Sequence, residues 1–267
     1  MQASSKQQVF WWVMMILAGG ILLFLAAPVI GMLLSQNPGR VWDTAFEPDV
    51  AKSIRLTLWT SMSAALFTAV GAVPLSYLLA RKKFPGRKLL MGIINLPVVI
   101  PHSAAGIALL GLIARDTPAG RLASSFGLEL TGNPAAIMLA MAFVSLPFLI
   151  SAATDAFAGV PENLEEAARN LGASDARVFF TIALPLAWRG IITGLVMMWA
   201  RGMSEFGAVV MVAYHPMVSP VLIYERFTSF GLKYATPVAV IVVLISLLFF
   251  ILMRVLPEPG KKHREHA

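Results

Sequence analysis

The chain has 267 residues, 58% of them hydrophobic and only 13% charged, with a mean hydropathy of +0.76. A soluble domain is typically under half apolar and about a quarter charged, so this composition excludes an ordinary soluble fold and points to a polytopic membrane protein. The net charge of +7 would suggest a nucleic-acid partner in a soluble protein, but here the cations lie in loops beside apolar runs, where they act as topological anchors, and no nucleic acid is expected. The absence of cysteine excludes disulfides, iron–sulfur clusters and thiol nucleophiles. Four histidines form no close His/Cys cluster, so no metal site is expected.

A bilayer core takes roughly 20 mostly apolar residues per helix. Six runs meet that length: Val9–Leu34, Thr57–Ala80, Leu89–Ala114, Ala135–Phe157, Leu186–Ala213 and Pro237–Leu256. The first resembles a signal peptide in that Lys6 precedes it and Ala26–Ala27 are small, but its apolar part is about twice the usual length of such a region, so it reads as a retained helix. After the second run, Arg81, Lys82, Lys83, Arg87 and Lys88 place five cations in eight residues, which are hard to translocate. Putting that loop inside makes both termini cytoplasmic, with thirteen Lys and Arg on inner segments and seven on outer ones. The expected fold is therefore all-α, with six transmembrane helices and a long cytoplasmic loop between the fourth and fifth.

The third run carries Pro97 and Pro101, followed by His102 and Ser103. Two prolines one turn apart each remove a backbone donor, so a kink or unwound turn is expected near mid-membrane. Such backbone is tolerated only where protein buries it or a water-filled cavity meets it, which reads either as a gate or pathway wall or as a packing kink. His102 is polar enough to touch cargo or gate water, and equally able to make an interhelical hydrogen bond.

Between the fourth and fifth runs, 158–185 holds two short helices. Glu162, Glu165 and Glu166 suit the positive end of a helix opened by Pro161. Leu164, Ala167, Ala168 and Leu171 give it one narrow apolar stripe, and Gly172 stops it. Ser174 can cap a second helix bearing Val178, Phe179 and Ile182, with Pro185 marking the turn into the fifth run. That run contains Arg201 and Glu205, one helical turn apart and able to pair. Intramembrane charges usually face the bundle interior or an aqueous cavity. A bare Arg would suit an oxyanion, but Glu205 can neutralise it, so a structural pair near an outer gate is the favoured reading over a cargo site. From Pro257 the tail is charged and reads as disordered. The organisation is a first helix and external loop over 1–52, a helical body over 53–256 and a tail over 257–267.

Within the loop the spacing becomes specific. Glu166-Ala167-Ala168, three residues, Gly172, nine residues, then Ile182-x-Leu184-Pro185 follows the pattern E-A-A-x3-G-x9-I-x-L-P at every fixed position. In this the chain resembles the binding-protein-dependent permease subunits of ABC importers. Two further stretches, Asn95–Leu110 and Trp199–Phe227, are similar to the molybdate/tungstate branch of the sulfate–molybdate permeases, and the likeness spans roughly residues 50–256. The resemblance implies that the first loop helix is a coupling helix seated in a cleft of an ATP-hydrolysing partner, with Leu164, Glu165, Glu166, Ala167, Ala168, Leu171, Gly172, Ile182, Leu184 and Pro185 forming the coupling loop. It also implies a second copy of this chain, two ATP-binding subunits inside and a soluble oxyanion-binding protein outside. No phosphate loop G-x-x-x-x-G-K-[ST] is present, so ATP and Mg belong to the partner and no cofactor is expected on this chain. The competing readings are a sulfate or thiosulfate permease of the same architecture, an intramembrane enzyme for which no nucleophile–base set is seen, and a scaffold that recruits a signalling partner.

Overall fold

A computed structural model describes residues 5–127 and 129–255, and the charged tail expected over 257–267 lies outside them. The described residues are helical, with no strand among them. Five helical stretches are each long and apolar enough to cross a bilayer: Gln7–Leu34, Pro48–Arg81, Pro134–Ala158, Asp175–Met203 and Leu232–Phe249. In chain order the helices are α1 (Ser5–Leu34), α2 (Pro38–Ala45), α3 (Pro48–Arg81), α4 (Arg87–Val99), α5 (His102–Ile113), α6 (Pro118–Ser125) and α7 (Pro134–Ala158). They continue with α8 (Glu162–Asn170), α9 (Asp175–Val178), a π-helical turn Phe179–Ala183, α10 (Leu184–Met203), α11 (Gly207–Val212), α12 (Ser219–Phe230) and α13 (Leu232–Val255).

At the centre stands α7, packed against both α3 and α10, which also touch each other. Lipid offers no hydrophobic drive for helix association, so close packing through small residues has to supply it. Along α10, Gly190-x-x-x-Gly194 faces Ala152-x-x-x-Ala156 of α7: a Cβ built on Gly190 would lie 2.4 Å from the Ala156 Cβ, and one on Gly194 2.9 Å from the Ala152 Cβ. Against the same pair, α3 buries Thr60, Ser61, Ala64, Ala65, Ala72 and Ser76. Several of its hydroxyls are satisfied inside their own helix, Ser61 donating to the Thr57 carbonyl at 2.7 Å and Ser76 to that of Ala72 at 2.8 Å, whereas the buried Ser53 hydroxyl has no partner among the described residues. Ser76 also reaches the Ile150 carbonyl of α7 at 3.2 Å. Most of the buried hydroxyls of α3 thus enter the span already paired, while the buried Thr154 hydroxyl of α7 and the Trp199 indole N–H of α10 find no partner among the described residues.

Four of the six expected spans differ from their sequence reading, the second in that it begins at Pro48 and not at Thr57. The third is not one helix: α4 and α5 meet at a bend of 112°. Pro101 has no N–H to continue the ladder, and Ile100 before it is extended at φ −75°, ψ 148°, the conformation that a following proline imposes. The thirteen residues of α4 span about 20 Å, too short to cross a bilayer alone. The fifth starts earlier and ends sooner than Leu186–Ala213. The expected turn at Pro185 is absent, because the π-helical turn widens the backbone where Pro185 cannot donate, and the helix runs unbroken from Asp175 to Met203. It stops at Ser204, so Glu205 lies beyond the helix and not within a span. The sixth begins at Leu232, with Pro237 in its second turn. Sequence patterning also passed over α2, α6 and α12, each opened by a proline at its first or second position.

The helix α1 stands apart. Its described side chains are mostly exposed and include Trp11, Trp12 and Phe24, so its apolar surface needs cover from outside this chain. A smaller apolar cluster, Val50, Leu222, Val238 and Ile241, joins α3, α12 and α13 at the end of the bundle remote from α8.

The Gly190/Gly194 seam makes the first prediction. Gly194→Val forces α7 and α10 apart and lowers stability by about 1–3 kcal/mol, as overpacking does, read as a fall in the unfolding midpoint of the detergent-solubilised chain. Gly92→Ala, where an added Cβ meets nothing within 4 Å, does not lower it.

Candidate functional site

Two buried carboxylates organise the two ends of the bundle. At the end bearing α8, the carboxylate is Glu165, 1% exposed and the only buried residue of that helix. Pro161 precedes the helix as its cap, with φ −60° and ψ 122°, and the first turn starts at Glu162. Gly172 closes the helix at φ +88°, with its N–H on the Arg169 carbonyl at 2.9 Å and that of Ala173 on the Ala168 carbonyl at 3.0 Å. That left-handed turn is the stop expected of a glycine there.

Glu165 faces the bundle. Arg81, the last residue of α3, donates to its Oε1 from Nε at 2.9 Å and from Nη2 at 2.7 Å. The Tyr77 hydroxyl donates to Oε2 at 2.7 Å, and Arg169 reaches the same oxygen at 3.3 Å. Arg81 further donates to the Val160 carbonyl at 2.9 Å, and Arg169 to Asp175 at 2.8 Å. Burial alone would push the Glu165 carboxyl up, but hydrogen bonds from Arg81 and Tyr77 and the charges of Arg81 and Arg169 outweigh it and hold the group below its ordinary value. The Tyr77 ring meets Phe157 at 5.3 Å and Phe179 at 5.0 Å, both edge-on, which brings the ends of α3, α7 and the π-turn together.

The expected apolar stripe points the other way. Leu164 is 45% exposed, Leu171 is 90% exposed and sits just past the helix end, and Ala167 is open. Ala168 is half-buried, and Glu166 and Gly172 are exposed. Ile182 and Leu184 are half-buried along the continuous helix, with Pro185 exposed. Of the loop positions singled out in the sequence, then, Glu165 holds the bundle while Leu164, Glu166, Ala167 and Leu171 form an uncovered surface. Tyr77, Arg81 and Arg169 were missed as partners. Arg81 stood in a cationic run read as a topological anchor, and nothing in the sequence marks which of its five cations turns inward.

At the other end, the carboxylate is Glu205, also 1% exposed. Its Oε2 lies 3.0 Å from Arg201 Nη1 and 3.0 Å from His102 Nδ1, and its Oε1 accepts the Ala208 N–H at 2.9 Å, capping α11. Arg201 Nη2 sits 3.0 Å from His102 Nε2. It also lies 3.1 Å from His102 Nδ1, so the guanidinium faces both ring nitrogens. The Arg201–Glu205 pair therefore forms, but across the end of α10 rather than inside it, with His102 as a third member that sequence reading did not connect. The approach is close: a Cβ on Gly207 would lie 2.8 Å from the His102 Cβ, and one on Gly106 2.7 Å from the Met211 Cβ. Arg201 and His102 are half-buried, Ser103 and Pro101 exposed, and Pro97 buried in α4.

Residues 72–258 match the family described as binding-protein-dependent transport system inner membrane component. The chain belongs to that family. It is 40% identical over 236 residues, covering 88% of this chain and 90% of the relative, to the molybdate/tungstate transport system permease protein of Thermococcus kodakarensis. Similarity to the sulfate transport system permease protein of Synechocystis is weaker, at 28% over 250 residues, 91% of this chain and 87% of that one. The fold matches a bacterial ABC transporter that imports the acidic polysaccharide alginate, with a TM-score of 0.72, 18% identity, and coverage of 95% of this chain and 98% of that one. The chain is thus an ABC importer permease, a multi-pass component of the cytoplasmic membrane and a translocation subunit rather than an ATPase.

Two predictions follow from the geometry. Glu205→Ala strips Arg201 and His102 of their buried partner and lowers stability by about 3–5 kcal/mol, measured by denaturant unfolding in detergent. Glu205→Gln keeps an acceptor for the Ala208 N–H and costs less. Glu165 is depressed in the folded state, so its stabilisation is complete above the ordinary glutamate value and is lost as pH falls through the lower folded value. Proteolytic nicking of the α8 loop should therefore be unchanged at pH 5 and rise only below about pH 4.

Proposed function

We propose that this chain carries molybdate or tungstate across the cytoplasmic membrane by alternating access, with α8 as the coupling helix. The observation that carries the cargo is the 40% identity to a molybdate/tungstate permease over nearly the whole of both chains, against 28% to a sulfate permease. The coupling role is supported by the E-A-A-x3-G pattern and by an α8 whose Leu164, Glu166, Ala167 and Leu171 are left uncovered while Glu165 ties it to the bundle. In this reading both termini and the α8 end face the cytoplasm, where an ATP-binding subunit with its Mg grips α8. A second copy of this chain lies alongside, covering exposed apolar surface such as that of α1. An oxyanion-binding protein delivers cargo to the opposite face.

ATP-driven approach of two such partners draws two α8 helices together and rocks the bundles from inward-open to outward-open. The His102–Arg201–Glu205 cluster forms a structural tie at the outer gate. Glu205 offsets the Arg201 charge, so a passing oxyanion meets exposed donors but no uncompensated cation, and the pathway binds weakly enough to release. Pro97, Pro101 and Ser103 belong to the bent α4–α5 wall beside it.

Proteoliposomes of this chain with its ATP-binding partner, and loaded binding protein outside, test the proposal. Tungstate- or molybdate-loaded binding protein stimulates ATP hydrolysis, sulfate-loaded protein does not, and Gly172→Trp, which cannot adopt φ +88° without strain, abolishes the response. Stimulation by sulfate alone keeps the architecture and overturns the cargo. No response to any of the three from a stable complex overturns the importer reading.

A further inference from the structure

We infer that Glu165, held by Arg81, is the positioning residue that makes α8 and the membrane bundle one mechanical body, so that displacement of α8 reaches α3 and α10 instead of being absorbed in the loops. The inference rests on α8 being the element the ATPase grips.

The connections on either side of α8 are poor transmitters. The chain enters it through Gly159-Val160-Pro161 and leaves through Leu171 to Ser174, with Gly172 in a left-handed turn. Apolar packing contributes little, since of its apolar residues Leu164 and Ala167 are exposed and the small Ala168 is only half-buried, while Glu165 is its only buried side chain. What fixes it is directional. Oε1 accepts two hydrogen bonds from the Arg81 fork, at 2.9 and 2.7 Å, and Oε2 accepts from Tyr77 at 2.7 Å and Arg169 at 3.3 Å. Arg81 also grips the Val160 carbonyl, so the strand of chain entering α8 is tied to the same guanidinium. Arg169 extends the tie to Asp175, the first residue of the long helix that becomes α10.

An apolar contact is non-directional and can slide, whereas a bidentate charge-assisted pair fixes orientation as well as distance. The pairing also explains why a buried charge is tolerated here: both carboxylate oxygens are satisfied, and a buried ion persists only on that condition. Placing the hold on the Glu165 side leaves the opposite side of α8 free for a partner. A hydrophobic anchor would have competed with that partner for the same few apolar residues.

The test measures ATP hydrolysed and tungstate accumulated in the same proteoliposomes of the assembled permease–ATPase complex with loaded binding protein outside. Glu165→Gln keeps shape and an acceptor for Tyr77 but removes the charge. It is expected to lower tungstate moved per ATP by about fivefold or more, the low end of typical coupling between sites, while the ATPase still co-purifies. The chain has no cysteine, so the pair Arg81→Cys with Glu165→Cys can be joined by a short bis-maleimide. Transport per ATP is expected to be low before joining and restored after it. A role in folding alone would reduce the yield of complex without moving that ratio, and would gain nothing from the cross-link. An unchanged ratio in Glu165→Gln, or a ratio that stays low once the thiols are joined, overturns the clamp. Should Glu165→Gln fail to assemble, the joined and unjoined thiol pair decides alone. The unsubstituted complex separates the two claims: if it moves none of tungstate, molybdate and sulfate, the importer reading fails and the clamp with it, and if it moves one of them, the variants judge the clamp by itself on that ion.

Discussion

Hydrocarbon cannot hydrogen-bond, so every polar group that enters the bundle must find its partner within the protein, and the layout of this chain follows from how that demand is met. Thr57, Thr60, Ser61 and Ser76 of α3 meet it locally, by donating to carbonyls one turn back in their own helix. That leaves the outer surface of each helix free of polar need, so α3, α7 and α10 associate through small residues at van der Waals distance. The charged residues cannot be satisfied locally. Glu165 and Glu205 each draw in groups from other helices, and they do so at the two ends of α10, where chain breaks allow side chains from neighbouring elements to converge.

Much of this was readable beforehand, because the bilayer enforces length and composition. Six apolar runs, the proline-broken third one and the glycine stop at Gly172 each have a local cause written in one or two residues. What was not readable depends on neighbours distant in sequence. Pro185 signals a helix start by position, yet the preceding residues take up a π-turn and carry the helix through it, with Phe179 of that turn packed against Tyr77 and Phe157. Glu205 looks helical because apolar residues flank it, yet the close approach of Gly207 to His102 takes the chain out of the helix there. The apolar stripe of α8 was legible as a stripe, but whether the bundle or a partner covers it was not. Periodicity tells which residues share a face and says nothing about what the face meets.

The two carboxylates share a plan. Each is buried, each pairs with an arginine four residues away, Arg169 for Glu165 and Arg201 for Glu205, and each takes a further partner from a different helix, Arg81 or His102. An i,i+4 pair on an exposed helix contributes only a few tenths of a kcal/mol. Burial together with a partner on another element changes its role, because removing the carboxylate leaves its cationic partners without their counter-charge. Such a cluster is therefore held as a unit, and it fastens one helix to the next with defined orientation.

Between the two clusters runs a single uninterrupted helix from Asp175 to Met203, about 43 Å long at the usual rise per residue. Helices resist bending far more than loops do, and the π-turn keeps this one whole where Pro185 would otherwise break it. Arg169 bonds to its first residue, Asp175, and Arg201 in its last turn bonds to Glu205. A displacement imposed on α8 thus has a stiff route to the His102 end, where α5 and α11 pack too closely to slide past each other without moving together. Cores with this density pass from one discrete packing to another rather than deforming gradually. A chain that must be open on one side of the membrane or the other, and never on both, needs that kind of response.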